Sequence, residues 1–144
     1  MTKKVIAIGN KLMQDDGVAL EVGYRIKDML TEENIEVIIG ETDLDFCAKN
    51  IEPGDEVYIM DSTYYGIAPG SITFSNLNNK KDKHYISSSM HGFNLIDMVM
   101  LYRKKVNVFL IGIEIDSIDM EPGLSSTLLS KIDNICTYII KLIL

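Results

Sequence analysis

Residues 3–17 read KKVIAIGNKLMQDDG, a short apolar run followed by a polar loop that ends in two acids and a glycine. The apolar run has no alternation of polar residues, which is typical of a strand buried on both faces. After Gly17, the apolar residues Val18, Val22, Ile26 and Leu30 recur at helical spacing and predict a helix to about Thr31. The chain therefore opens with a strand, a loop and a helix.

The rest of the chain repeats this alternation. Strands are predicted at residues 35–39, 56–60, 107–115 and, as an edge strand, 71–74; helices are predicted at residues 44–50, around Leu95, Ile96, Met98 or Val99 and Tyr102, and from residues 123–125 onward. Alternating strands and helices imply βαβ units. We expect one domain over residues 1–144, an α/β three-layer sandwich whose mostly parallel, twisted sheet of about five strands carries helices on both faces.

Charge and composition narrow the classes of partner. The chain of 144 residues carries 14 Lys and Arg against 21 Asp and Glu, a net charge of −7, which argues against a nucleic-acid partner. No apolar run approaches the ~18 residues of a membrane span, so we expect a cytoplasmic protein without a membrane partner. Cys47 and Cys136 lie far apart and outside any catalytic motif, and are interpreted as small buried side chains without a disulfide.

Ligands of open α/β sheets bind beyond the carboxyl ends of the strands. Here the loops that follow the first three strands are residues 10–16, 41–45 and 61–65, and all three carry carboxylates. The first loop lacks the glycine-rich pattern of a dinucleotide site, and its acids would repel phosphate. The sequence therefore disfavours a nucleotide at this edge.

Two acids and one histidine are the candidates for chemistry. Asp15 is interpreted mainly as a helix cap, whereas Asp16, beside Gly17, is the stronger candidate for a ligand. Asp61 ends the third strand, and His91 lies in a serine-rich loop, while His84 lies in a lysine-rich stretch typical of solvated surface. Two carboxylates and an imidazole would form a mixed site suited to zinc, nickel, manganese or iron.

Three segments together resemble the hydrogenase maturation proteases. They are the residues IGNKLMQDDG at 8–17, YIMDS at 58–62 with APG at 68–70, and SMHGFNL at 89–95; the resemblance continues to GLS at 123–125. It thus covers nearly the whole chain in order. Two departures stand out: Asp16 is glutamate in part of that family, and residues 40–45 read GETDLD where many relatives have Asp-Gly-Gly-Thr or Asp-Gly-Gly-Ser.

The resemblance implies an endopeptidase that removes the C-terminal extension from a nickel–iron hydrogenase large-subunit precursor after nickel insertion. It implies Asp16, Asp61 and His91 as catalytic and metal-binding residues, with nickel carried by the substrate precursor and no organic cofactor. Asn10, Glu41 and Asp43 are expected to contact substrate.

Alternatives remain open at this point. A carboxylate pair that shares a proton, as in aspartic proteases, could use Asp16 and Asp61 without metal. The chain could also be a peptidase of the same fold acting on another peptide, or a metal-dependent module that binds the precursor without cutting it.

Overall fold

The computed structural model describes residues 2–77, 95–97, 99 and 105–144. In chain order the elements are β1 (Lys3–Ile8), a 3-10 turn (Gln14–Gly17), α1 (Val18–Glu32), β2 (Glu36–Glu41), α2 (Leu44–Lys49), β3 (Glu56–Thr63), β4 (Ile72–Asn76), β5 (Asn107–Glu114) and α3 (Ser126–Ile143). Residues 95–97 and 99 are also helical. The predicted alternation of strands and helices is confirmed.

The five strands form one sheet in the order β2-β1-β3-β5-β4. The pairs β1–β2, β1–β3 and β3–β5 are parallel, and β4 joins the edge antiparallel to β5. The predicted α/β fold with a mostly parallel sheet is thus confirmed, including the edge position of the strand near residue 72. Because β1 lies beside β3, the loops after these two strands begin next to each other at the carboxyl edge.

Apolar residues cover both faces of the sheet. Val5 and Ala7 pack with residues of α1 and α3, whereas Ile6 and Ile8 pack on the opposite face with α2 and the helical residues Leu95 and Val99. This period of two is the one expected for a buried strand. Cys47 and Cys136 are buried free thiols, as predicted. None of the helices in the described ranges is both long and apolar enough to cross a membrane.

The strand β3 differs from its predicted bounds. Its apolar run ends at Met60, so a strand end at Asp61 was expected. Instead the ladder with β5 continues without interruption from Glu56 opposite Asn107 to Thr63 opposite Glu114. Backbone pairing with a neighbouring strand thus extends β3 through three polar residues, and Asp61 lies inside the strand.

Candidate functional site

Asp16 lies in the turn between β1 and α1 and is almost fully buried, with 4% of its surface exposed. Its Oδ1 accepts the hydroxyl of Ser62 at 2.7 Å, and its Oδ2 accepts the backbone N–H of Asn10 at 3.0 Å. Gly9 makes this fold of the loop feasible, because its φ is 146° and any Cβ there would collide with the carbonyl oxygen of Asp16. A residue of the loop after β1 and a residue of β3 therefore hold the two carboxylate oxygens of Asp16.

Asp61 lies in β3, immediately before Ser62, whose hydroxyl contacts Asp16. It is fully buried, and its Oδ1 accepts the backbone N–H of Ser62 at 2.8 Å. Strand alternation places Asp61 on the face that Ile59 shares with Leu95 and Val99. His91, the third predicted ligand, lies outside the described residues, as does His84. The structure therefore brings Ser62 against both predicted acids.

The interpretation of Asp15 as a helix cap is wrong. Neither the 3-10 turn nor α1 has a side-chain cap at its N-terminus. Asp15 is fully buried, and its carboxylate accepts the N–H groups of Asp116, Ser117 and Ser125 at 2.8–3.0 Å as well as the Ser125 hydroxyl at 2.8 Å. Asp15 thus fastens the first loop to the loop between β5 and α3. Asp15 therefore joins two loops, whereas its neighbour Asp16 contacts Asn10 and Ser62.

Asn10 and Glu41, two of the three predicted substrate contacts, line a small cleft at this edge. It has a volume of about 220 Å³ and is lined by Gly9, Asn10, Lys11, Leu12, Glu41 and Thr42. The exposed Lys11 forms an ion pair with Glu41 at 2.9 Å, and the hydrogen bond and charge of Glu41 raise the pKa of Lys11. Asp43 accepts the N–H of Phe46 and so caps α2. A role in substrate contact stays a prediction for Asn10, Glu41 and Asp43.

Sequence reasoning missed Glu114, a second buried carboxylate system at this edge. Only 1% of Glu114 is exposed; Oε1 accepts the Thr63 hydroxyl at 2.9 Å, and the carboxylate also accepts the N–H groups of Tyr65 and Gly66 at 3.0 Å. It therefore fixes the loop that leaves β3. The available signal was an acid within the apolar run of residues 108–115, where an uncompensated charge would be costly.

A second cleft, also missed, lies on the other side of the acids. It has a volume of about 310 Å³ and is lined by Tyr64, Ile115, Asp116, Ser117 and Ile118. Tyr64 is 70% exposed there. In the described part of the carboxyl edge, different pairs of loops thus form a cleft of mixed polarity and a largely apolar cleft.

The described part of the chain holds no group of three or more His, Cys, Asp and Glu side chains arranged for a metal ion. The set predicted from sequence needs His91 as its third member, which lies outside those residues. The described contribution to the predicted metal site is therefore the pair Asp16 and Asp61. Carboxylates with an added imidazole are donors that suit divalent transition metals.

Comparisons with known proteins agree with this architecture. The family model of the hydrogenase maturation proteases matches residues 20–142. A Methanocaldococcus jannaschii protein, provisionally named a hydrogenase maturation protease, is 24% identical over 135 residues, covering 90% of this chain and 88% of that protein.

The fold is similar to those of two solved structures. The [NiFe] hydrogenase maturation protease HybD from Thermococcus kodakarensis has a TM-score of 0.79 and 22% identity, with both chains covered completely. The hydrogenase maturating endopeptidase HybD from E. coli has a TM-score of 0.77 and 18% identity, with 99% of this chain and 91% of that chain covered. Since the family model spans most of the sequence, the resemblance to this family is confirmed, and the chain belongs to the hydrogenase maturation protease family.

Proposed function

We propose that this protein is an endopeptidase that removes the C-terminal extension of a nickel–iron hydrogenase large-subunit precursor once nickel has been inserted. Asp16, Asp61 and His91 contact the nickel that the precursor carries. The observation that carries the proposal is the pair of buried carboxylates in the turn after β1 and near the C-terminal end of the adjacent strand β3, in a chain of this family. No organic cofactor takes part.

The chemistry of the residues supports a metal-recognising role. Carboxylates are rarely fully buried unless they are paired or hydrogen-bonded, because desolvation of the charge is costly. Neutral donors of Asn10 and Ser62 bond to Asp16, and the Ser62 backbone N–H bonds to Asp61. These hydrogen bonds orient the carboxylates, and carboxylate oxygens are among the ligands that metal cations accept. An imidazole from His91 would complete a mixed oxygen and nitrogen set.

In the proposed mechanism, contact with the substrate's nickel brings the scissile peptide bond to this edge of the sheet. A water molecule then attacks the carbonyl carbon of that peptide bond. Either the metal polarises the carbonyl group, or a carboxylate acts as the base that accepts a proton from the water. Cleavage therefore requires that nickel has already been inserted into the precursor. The two clefts beside the acids offer room for the chain on each side of the scissile bond.

The test mixes purified protein with nickel-loaded and nickel-free precursor and follows the loss of mass. We expect cleavage of the loaded precursor alone. Asp16→Asn, Asp61→Asn and His91→Ala should each lower the rate by at least about a hundredfold, the range seen when a group acting in the transition state is removed. Asp28→Asn and His84→Ala are the matched controls and should cleave normally, since Asp28 is exposed on α1.

The outcomes separate the competing interpretations. Nickel-dependent binding without cleavage would mean a recognition module, and equal cleavage of both precursors would contradict nickel recognition. Indifference to both precursors would point to another peptide substrate. Full activity of His91→Ala alongside inactive Asp16→Asn and Asp61→Asn would favour a carboxylate pair that shares a proton.

A further inference from the structure

Ser62 connects the two acids. Its backbone N–H donates to Asp61 Oδ1 at 2.8 Å, and its hydroxyl donates to Asp16 Oδ1 at 2.7 Å. The residue is fully buried in β3, where it pairs with Ile113 of β5. One residue thus gives a donor to each of two carboxylates, one from the turn before α1 and one from β3.

The length and partners of the hydroxyl bond indicate a strong interaction. The distance of 2.7 Å is that of a well-formed O–H···O hydrogen bond. A buried serine hydroxyl without a hydrogen-bond partner would destabilise the folded protein. A hydrogen bond to a charged group contributes more to stability than one to a neutral acceptor. The contact therefore stabilises one orientation of the Asp16 side chain.

Two donors from separate elements fix the plane of the Asp16 carboxylate. Asn10, in the loop after β1, holds Oδ2, and Ser62, on β3, holds Oδ1. Removing the Ser62 hydroxyl would therefore take away one of the contacts that hold the Asp16 side chain in this orientation. Sites that bind a metal or a reacting group need their side chains held within roughly 0.5 Å of the productive geometry.

We infer that Ser62 is a positioning residue that sets the relative position of the Asp16 and Asp61 carboxylates for the metal carried by the substrate. The inference rests on the proposed function for the identity of that metal. Ser62 acts through the two acids and makes no contact with substrate itself. Its hydroxyl is the essential group, since any residue other than proline could supply the backbone N–H to Asp61.

The first test measures binding of nickel-loaded and nickel-free precursor by Ser62→Ala, Ser62→Thr and wild type. Losing a hydrogen bond to a charged group should lower the preference for loaded precursor about tenfold in Ser62→Ala. Ser62→Thr keeps the hydroxyl and should retain most of the preference. A merely structural role would reduce the fraction of active protein and leave the ratio of the two affinities unchanged.

Ser75→Ala is the matched control, because Ser75 is a buried serine of the edge strand β4. It should keep the wild-type preference. An unchanged preference in Ser62→Ala, beside a clear preference in wild type, would overturn the inference and leave the proposed function intact.

A second test does not depend on substrate. Urea unfolding of wild type, Ser62→Ala, Asp16→Ala and the double variant forms a double-mutant cycle, in which we expect the two substitutions to be coupled by about tenfold in the unfolding equilibrium constant. Ser62→Cys, a near-isosteric weak donor, replaces Ser62→Ala in the cycle if that variant does not fold.

Additive effects in the cycle would overturn the inference. Coupling in the cycle, together with a wild-type protein that does not distinguish the two precursors, would support Ser62 as the residue that positions the acid pair and would overturn the proposed function instead. The two failures are therefore distinguishable.

Discussion

The adjacent acids Asp15 and Asp16 have different hydrogen-bond partners. The contacts of Asp15 with the loop between β5 and α3 lead to a prediction about stability. In Asp15→Asn the new amide nitrogen would replace one acceptor oxygen and face N–H or O–H donors of Ser117 and Ser125. Because buried donors would lose their partner, we expect the free energy of unfolding to fall by about 2–3 kcal/mol. Urea unfolding followed by circular dichroism measures this loss.

Asp119→Asn serves as the control, since Asp119 is an exposed acid of the loop that Asp15 fastens. It should change stability by less than about 0.5 kcal/mol. A loss near 1 kcal/mol or below in Asp15→Asn would fit an ordinary helix cap and would contradict the fastening role.

The local sequence pointed to Asp16 as the candidate ligand, but it did not predict the contacts of Asp15. Gly17 and the nearby helix start favoured Asp16 as the candidate ligand, and Asp16 is buried with donors from the loop after β1 and from β3. The partners of Asp15 are 101–110 residues away along the chain. A local pattern carries no information on such contacts, so capping was the natural interpretation.

At the scale of elements, Glu114 at the end of β5 holds the loop that leaves β3. In Glu114→Gln one oxygen becomes an NH2 group, and it cannot accept the N–H groups of Tyr65 and Gly66 as before. We expect a loss of about 2 kcal/mol in stability and faster hydrogen exchange at these two amides. Hydrogen exchange resolved by residue is the measurement.

Glu121→Gln tests whether any change of charge near this edge has the same effect, because Glu121 is an exposed acid of the neighbouring loop. Exchange at Tyr65 and Gly66 should stay slow in that variant. Wild-type exchange rates in Glu114→Gln would show that other contacts hold the loop.

The bounds of β3 show what element prediction lacked. Hydrophobic periodicity ends at Met60, and the next residues, Asp61, Ser62 and Thr63, have the composition of a loop. Their backbone nevertheless pairs with residues 112–114 of β5, and their polar side chains find buried partners. Periodicity records burial of apolar side chains, whereas strand pairing depends on the neighbouring backbone. The β3 part of the candidate site lies in residues 61–63, where the apolar pattern has ended but the backbone pairing continues.

For the whole molecule, the fold could be predicted because each element carries its own apolar pattern. The stripe of α3 at Leu128, Ile132, Ile135 and Ile139 is buried as expected, and the run in β1 is buried on both faces. The strand order and the contact of β3 with the turn before α1 depend on long-range packing and were not accessible. The site is built from those long-range contacts.

Burial of titratable side chains also leads to a prediction about how the stability of the molecule changes at high pH. Burial raises the pKa of the Cys47 thiol from 9.0 to about 11, with a smaller contribution from the charge of Asp43. Burial likewise raises the pKa of the Tyr58 hydroxyl from 10.0 to about 12, with Glu56 adding to the effect. In both cases the folded state keeps its proton at a pH where the unfolded chain has lost it.

Between pH 9 and 11 the unfolded state therefore binds fewer protons than the folded state, so the free energy of unfolding must fall as the pH rises. Below pH 9 Cys47 is protonated in both states and contributes no slope. We expect the midpoint of urea unfolding to decline steadily above pH 9. Cys47→Ala should flatten the decline between pH 9 and 11, and Tyr58→Phe should flatten it between pH 10 and 12. A midpoint that stays level from pH 9 to 11, or a decline that Cys47→Ala leaves unaltered, would mean that solvent reaches this thiol in the folded protein.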